Sequence, residues 1–179
     1  LLSLHGNANV SVWPIGSFSV GSDKSGGSDI MAIGCHLSSK NFIPKFQSFF
    51  EVSDRFPVIG ERLFCVGLKE KRFRDWGNPY IHLEFFESFG VVIDVFPNGR
   101  GRMPSGPCFA INSGATGGMS GAPVFDHFGQ VIGILSTGTE DEKNGYSLVS
   151  SIAPVYDHKI TQTWHSNGPR NELVKNILI

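Results

Sequence analysis

Short apolar runs, broken at even intervals by glycine and proline, constrain the fold of this 179-residue chain more than any other feature. Ile30–Ile33, Leu63–Gly67, Ile81–Phe85, Gly90–Val95, Ala122–Phe125 and Gln130–Leu135 are each too short for a helix of ordinary length and alternate as strands do. The 22 glycines and 10 prolines fall between and within these runs, where they interrupt helix propagation and supply turns. An all-β protein is predicted. The exception is the C-terminus, where Asn171 can cap a short helix over Asn171–Leu178 whose apolar residues recur at helical spacing. Asp126-His-Phe-Gly129 separates two apolar runs, and Gly129 suits the positive φ of a short loop, so residues 122–135 are predicted to form a hairpin. Phe42–Phe56, without alternation and ending before Pro57, reads as a connector, which places a boundary between residues 1–56 and 57–179.

Fifteen basic residues against sixteen acidic ones, with neither sign gathered into runs, leave no footprint for a nucleic-acid backbone or an acidic membrane. No apolar stretch approaches the roughly 20 residues of a spanning helix, so no membrane span is expected in the visible chain. Cys35, Cys65 and Cys108 are odd in number and far apart, which fits buried thiols better than a disulfide framework or a zinc site. Unpaired cysteines lean towards a reducing, cytoplasmic compartment, although a disulfide-free secreted protein has the same pattern. The six histidines show no metal-ligand spacing, and no cofactor is implied.

Chemistry concentrates in Gly114-Ala-Thr-Gly-Gly-Met-Ser-Gly-Ala-Pro-Val-Phe125. Ser120 is flanked by Gly117, Gly118 and Gly121, so the backbone can follow a tight path that turns a hydroxyl and neighbouring N–H groups outward. A serine so held can attack a carbonyl while the N–H groups of Gly118 and Ser120 stabilise the oxyanion, a contribution of about 3–4 kcal/mol per donor. A bare Gly-x-Ser-Gly also occurs in ordinary turns. Pro123 tolerates the first position of a following strand.

Gly-Met-Ser-Gly-Ala-Pro-Val-Phe, followed by a turn and Val131-Ile-Gly-Ile-Leu-Ser-Thr-Gly138, resembles the nucleophile loop and next hairpin of trypsin-like serine peptidases of the chymotrypsin fold (PA clan). Ser28-Asp29-Ile-Met-Ala-Ile33 resembles the family's aspartate segment, about 90 residues before the serine, and Pro57–Gly67 resembles the first strand of its second barrel. The feel is closest to the disulfide-poor bacterial and viral-type members. The resemblance implies an all-β double antiparallel barrel whose first barrel, within residues 1–56, is incomplete at the N-terminus, and whose second is 57–179 with the short terminal helix. It further implies a serine endopeptidase that hydrolyses polypeptides through an acyl-enzyme on Ser120. Asp29 would support a catalytic histidine. Asp29 also fits a plain cap on a Gly/Ser-rich turn, and Asp23 is the rival aspartate, though no apolar strand follows it directly.

Only 28 residues precede Asp29, so the resemblance expects the histidine upstream of Leu1 and this chain alone to be inactive. His5 lacks the small-residue context of that base, and His36, His82, His127, His158 and His165 are read as structural or surface residues. By position, Ser136, Thr137 and Gly138 resemble the edge strand on which such peptidases lay substrate. Gly114 stands where the trypsin branch keeps an acid, so Lys or Arg would find no counter-charge. Met119, before the nucleophile, cannot pair with a newly cut N-terminus as an aspartate would, which disfavours activation by N-terminal cleavage. Two other readings remain: a protease-like peptide- or protein-binding module that lacks its base, and an esterase, which needs a strand–turn–helix around Ser120.

Overall fold

The structure, a computed structural model, describes residues 2–5, 9–12, 15–21, 30, 32–37, 50–72, 81–101, 104–113, 119–138, 145–157, 159–162 and 170–173. Among the described residues twelve strands and one short helix follow one another in the order β1 (Leu2–His5), β2 (Asn9–Val12), β3 (Ile15–Gly21), β4 (Ala32–Leu37), β5 (Arg62–Arg72), β6 (Ile81–Phe96), β7 (Cys108–Ile111), β8 (Pro123–Phe125), β9 (Val131–Gly138), β10 (Ser147–Ser151), α1 (Ala153–Tyr156), β11 (Lys159–Gln162) and β12 (Arg170–Leu173). The all-β expectation therefore holds for the described residues.

The chain divides into two compact units, residues 1–24, 31–49 and 155–179 in the first and 25–30 and 50–154 in the second. In the first unit the described strands pair as three antiparallel ribbons, β1 with β2, β3 with β4 and β11 with β12, and β11 runs beside β3 and β4. The helix expected at the C-terminus is corrected here. Residues 170–173 are a strand, because Arg170, Asn171, Glu172 and Leu173 pair with Gln162, Thr161, Ile160 and Lys159. Pairing with a neighbouring strand outweighs the weak helical spacing of so short a segment. Residues 174–179 lie outside the described set.

In the second unit six strands close into an antiparallel barrel in the order β10-β7-β6-β5-β8-β9. β5 and β6 form its longest ladder, from Arg62↔Val91 to Arg72↔Ile81, and β8 closes on β5 through Phe64↔Phe125 and Cys65↔Val124. Register shifts at Val92/Asp94, Val124/Phe125 and Leu148/Val149 supply the bends that closure needs. Leu63, Cys65, Val92, Phe109, Ile111, Val124, Ile132 and Val149 form the centre of its core. Cys65 and Cys108 are free and buried, and burial pushes both thiols up, against smaller opposing effects of Ser88 on Cys65 and of Arg100 on Cys108. Neither thiol should react with a water-soluble aromatic disulfide in the folded protein, and both should react in guanidinium; peptide mapping of the adducts checks this.

The hairpin predicted at 122–135 forms as β8 and β9, with Gly129 at φ 78°. Its turn is organised by Asp126, which has no exposed surface and whose Oδ1 accepts the N–H groups of Phe128 (2.9 Å) and Gln130 (3.0 Å). Arg55 donates to the other oxygen of Asp126 from Nε (2.9 Å) and Nη2 (2.8 Å) and grips Glu61 with both terminal nitrogens. The segment before β5 is further tied to β9 by bonds from Val131 N–H to Glu51 (2.8 Å) and from Ser53 N–H to Val131 (2.9 Å). The strands bearing the site are thus fixed from outside the barrel as well as from within.

Candidate active site

Ser120 stands at the second position of a four-residue turn, Met119–Ala122, closed by Ala122 N–H to the Met119 carbonyl at 3.0 Å. Gly121 at the third position has φ 92°, which gives the turn type II character and explains why the sequence needs glycine there. The turn is sewn to β9 by Gly121 N–H to Leu135 carbonyl (2.7 Å) and Leu135 N–H to Ala122 carbonyl (2.8 Å). Met119 points inward, 1% exposed in the core, and so forces the next side chain outward. Ser120 is accordingly exposed, and its Oγ donates to the Ser136 carbonyl at 2.8 Å.

A methyl group at position 121 would meet no atom within 4 Å, so Gly121→Ala tests backbone strain alone. Its expected cost is about 1–2 kcal/mol. The variant should fold with a modestly lowered melting temperature and present Ser120 poorly, a loss that labelling with a serine-directed probe would read.

Of the residues singled out from sequence, Ser120 and Ser136 are in direct contact, and Thr137 and Gly138, both exposed, continue β9 past Ile134, its last residue paired with β8. Gly114, Gly118 and Asp29 lie outside the described residues. Ile30, next to Asp29 in the chain, lines a cleft of about 280 Å³ together with Ser120, Leu135 and Ser136. The residues that follow the Ser120 turn are strand β8, so the strand–turn–helix that the esterase reading requires is not formed. His127 sits exposed in the hairpin turn against Phe128, with ring centroids 3.8 Å apart. Among the described residues no cluster of His, Cys, Asp or Glu could hold a metal ion, and no helix is long and apolar enough to cross a membrane.

A second cleft, of about 610 Å³, also reaches Ser120 and Gly121 and is walled by Phe64, Val66, Phe85 and Met119. Sequence reasoning missed it. The available signal was Phe85 and Phe89, four residues apart and so on one face of β6, which are 75% and 71% exposed.

No protein-family model matches the chain, and no curated protein matches it. Among solved structures it is similar to an inactive serine-to-alanine mutant of Rv3671c from M. tuberculosis H37Rv, with a TM-score of 0.47 and 15% identity over 82% of this chain and 62% of that one. It is also similar to a cysteine-to-alanine mutant of Tobacco Etch Virus protease, with a TM-score of 0.42 and 18% identity over 75% of this chain and 49% of that one. The chain thus spans less than two thirds of the length of either.

Proposed function

We propose that this chain belongs to a serine endopeptidase of the trypsin-like, chymotrypsin-fold kind, with the closed barrel, within residues 57–179, as its second barrel and residues 1–56 as part of its first. The observation that carries the reading is the exposed Ser120 hydroxyl, held by a tight turn beside the exposed end of β9. An extended peptide paired with Ser136, Thr137 and Gly138 by β-augmentation would bring a carbonyl carbon to Ser120 Oγ. The oxygen of that carbonyl would take its negative charge towards the N–H groups of Gly118 and Ser120. Attack forms the Ser120 ester as the peptide C–N bond breaks, and water then hydrolyses the ester.

The attacking hydroxyl must first give up its proton. Its partner here is a backbone carbonyl, which accepts a hydrogen bond but is no base, so the reading needs a histidine to displace that contact, with Asp29 orienting the imidazole. That Ile30 lines the same cleft as Ser120 supports Asp29 for this role. The same Ser120–Ser136 contact favours a second reading, a protease-like module that binds peptides along β9 without cleaving them.

The two are separated by labelling the full-length protein with a fluorophosphonate and locating the adduct by mass spectrometry. Modification of Ser120, absent from Ser120→Ala, supports the peptidase. An unlabelled full-length protein that still binds peptides rejects it in favour of the binding module.

A further inference from the structure

Ser120 and Gly121 form a ridge shared by two clefts. The smaller lies on the side of Leu135 and Ser136, the larger on the side of β5 and β6. We infer that the larger, aromatic cleft receives a big apolar side chain on the leaving-group side of the peptide bond that Ser120 attacks. The inference rests on the peptidase reading above. In acyl transfer the two halves of a substrate extend from the attacked carbonyl in opposite directions. If the acyl half is paired with Ser136–Gly138 on the β9 side, the half that departs as the amine is directed across the ridge towards β5 and β6.

The chemistry of the cleft selects what it can hold. Among the described residues that line it none is charged, and the Ser120 hydroxyl is the one polar side-chain group. A Lys, Arg, Asp or Glu entering it would lose water and gain no charged partner from these described walls, whereas an aromatic or long aliphatic side chain would exchange water for ring and methyl surface. Its volume of about 610 Å³ falls within the range of pockets that enclose organic ligands.

The wall is also built in advance. Phe64 stacks on Phe125 at 5.0 Å and 14°, and Phe50 meets Phe125 edge-on at 4.9 Å. These rings hold one another before any substrate arrives, so little side-chain freedom remains to be lost on binding. At the rim, Phe50 and Phe85 are 64% and 75% exposed. Large apolar side chains left in water around a concave site mark a binding surface, and its continuity with the Ser120 hydroxyl identifies the occupant as part of the substrate.

The test exposes the full-length protein to peptides randomised on both sides of the cleavage point, with cleavage positions read by mass spectrometry and fluorophosphonate labelling run in parallel. Cleavage should favour Phe, Leu or Met over Asp or Lys immediately or one residue after the broken bond, by about 10-fold or more. Phe85→Ser, which removes an exposed ring and leaves no core cavity, should cut that preference at least threefold on a matched Phe/Asp peptide pair, with circular dichroism confirming the fold. Labelling of Ser120 with no preference on that side, or with no cleavage of any peptide, overturns the cleft assignment and leaves the serine in place. Absence of labelling overturns the peptidase reading and this inference with it. A dimer in sedimentation that Phe85→Ser converts to monomer also overturns it, by showing the cleft covered by a second copy.

Discussion

On the proposed peptidase reading, Ser120→Ala is expected to lower kcat/KM for peptide cleavage by the full-length protein about 10³–10⁶-fold, while the melting temperature hardly moves. The two halves of this expectation have separate physical origins. The hydroxyl is the only atom at the turn that can form the ester, and what remains without it is binding and whatever the N–H groups of the loop contribute to water attack. The same hydroxyl is exposed and, among the described residues, makes one hydrogen bond, to the Ser136 carbonyl, on a turn whose backbone is fixed by Gly121 and Leu135 regardless of side chain. Losing such a bond at the surface costs about 0.5–1 kcal/mol. Peptide kinetics beside calorimetry checks both halves, and a variant that still cleaves would remove Ser120 as nucleophile.

The second large effect concerns Arg55. Arg55→Ala should destabilise the protein by about 3 kcal/mol near neutral pH, because it strands the carboxylate of Asp126 beneath the hairpin without its counter-ion. Burial alone would push Asp126 up, but the N–H of Gln130, the Arg55 guanidinium and the N–H of Phe128 together hold it below the ordinary carboxylate range. Glu61 is lowered as well, chiefly by its hydrogen bonds from Arg55, against burial. The guanidinium is held above its usual value, first by Glu61 and then by Asp126, and stays charged throughout.

For carboxylates whose folded pKa is depressed, the stabilisation is complete above the unfolded value of about 4 and is lost as pH falls through the folded value. Native protein should therefore lose stability on acidification below about pH 4, and Asp126→Asn should flatten that decline. The Arg55→Ala penalty should shrink over the same window, because protonation of Asp126 removes the stranded charge. Urea unfolding of the three proteins at pH 7 and pH 3.5 measures this, and an Arg55→Ala penalty that does not change with pH would show that lost packing, not charge, is the cause.

Legibility in the sequence followed burial. β8 and β9 were readable because a turn with a buried aspartate and a positive-φ glycine separates two apolar runs. β6 was read as two runs, Ile81–Phe85 and Gly90–Val95, because Glu87 and Ser88 interrupt the apolar pattern, yet the ladder with β5 carries one strand straight through them. β7 and β10 gave no signal. Cys108-Phe-Ala-Ile111 and Ser147-Leu-Val-Ser-Ser151 are buried at every position, so the period-two contrast between wet and dry faces is erased. Three of the five β10 residues are serines, and Ser147 meets the Ser113 hydroxyl at 3.2 Å inside the protein. At the start of the expected C-terminal helix, residues 171–173 form a strand through pairing with β11, which no local spacing contains.

The candidate site divides in the same way. Ser120 and its turn are local, written in consecutive glycines, and could be read directly. The aromatic cleft joins Phe50, Phe64, Phe85 and Phe125 from separate stretches of chain, and it is the β5–β8 seam that sets Phe64 against Phe125.

That closure has a kinetic side. Four of the six seams of the barrel join strands consecutive in sequence, and the β7–β10 seam holds four residue pairs. The seam between β5 and β8 spans about 60 residues of chain and holds two. Loop-closure entropy has to be met there before many contacts repay it, so the folding chain zips its hairpins first and shuts this seam late. The strand that shuts it begins three residues after Ser120. A nascent chain is therefore expected to carry its hairpins well before the turn that presents Ser120 is held in place by a complete barrel.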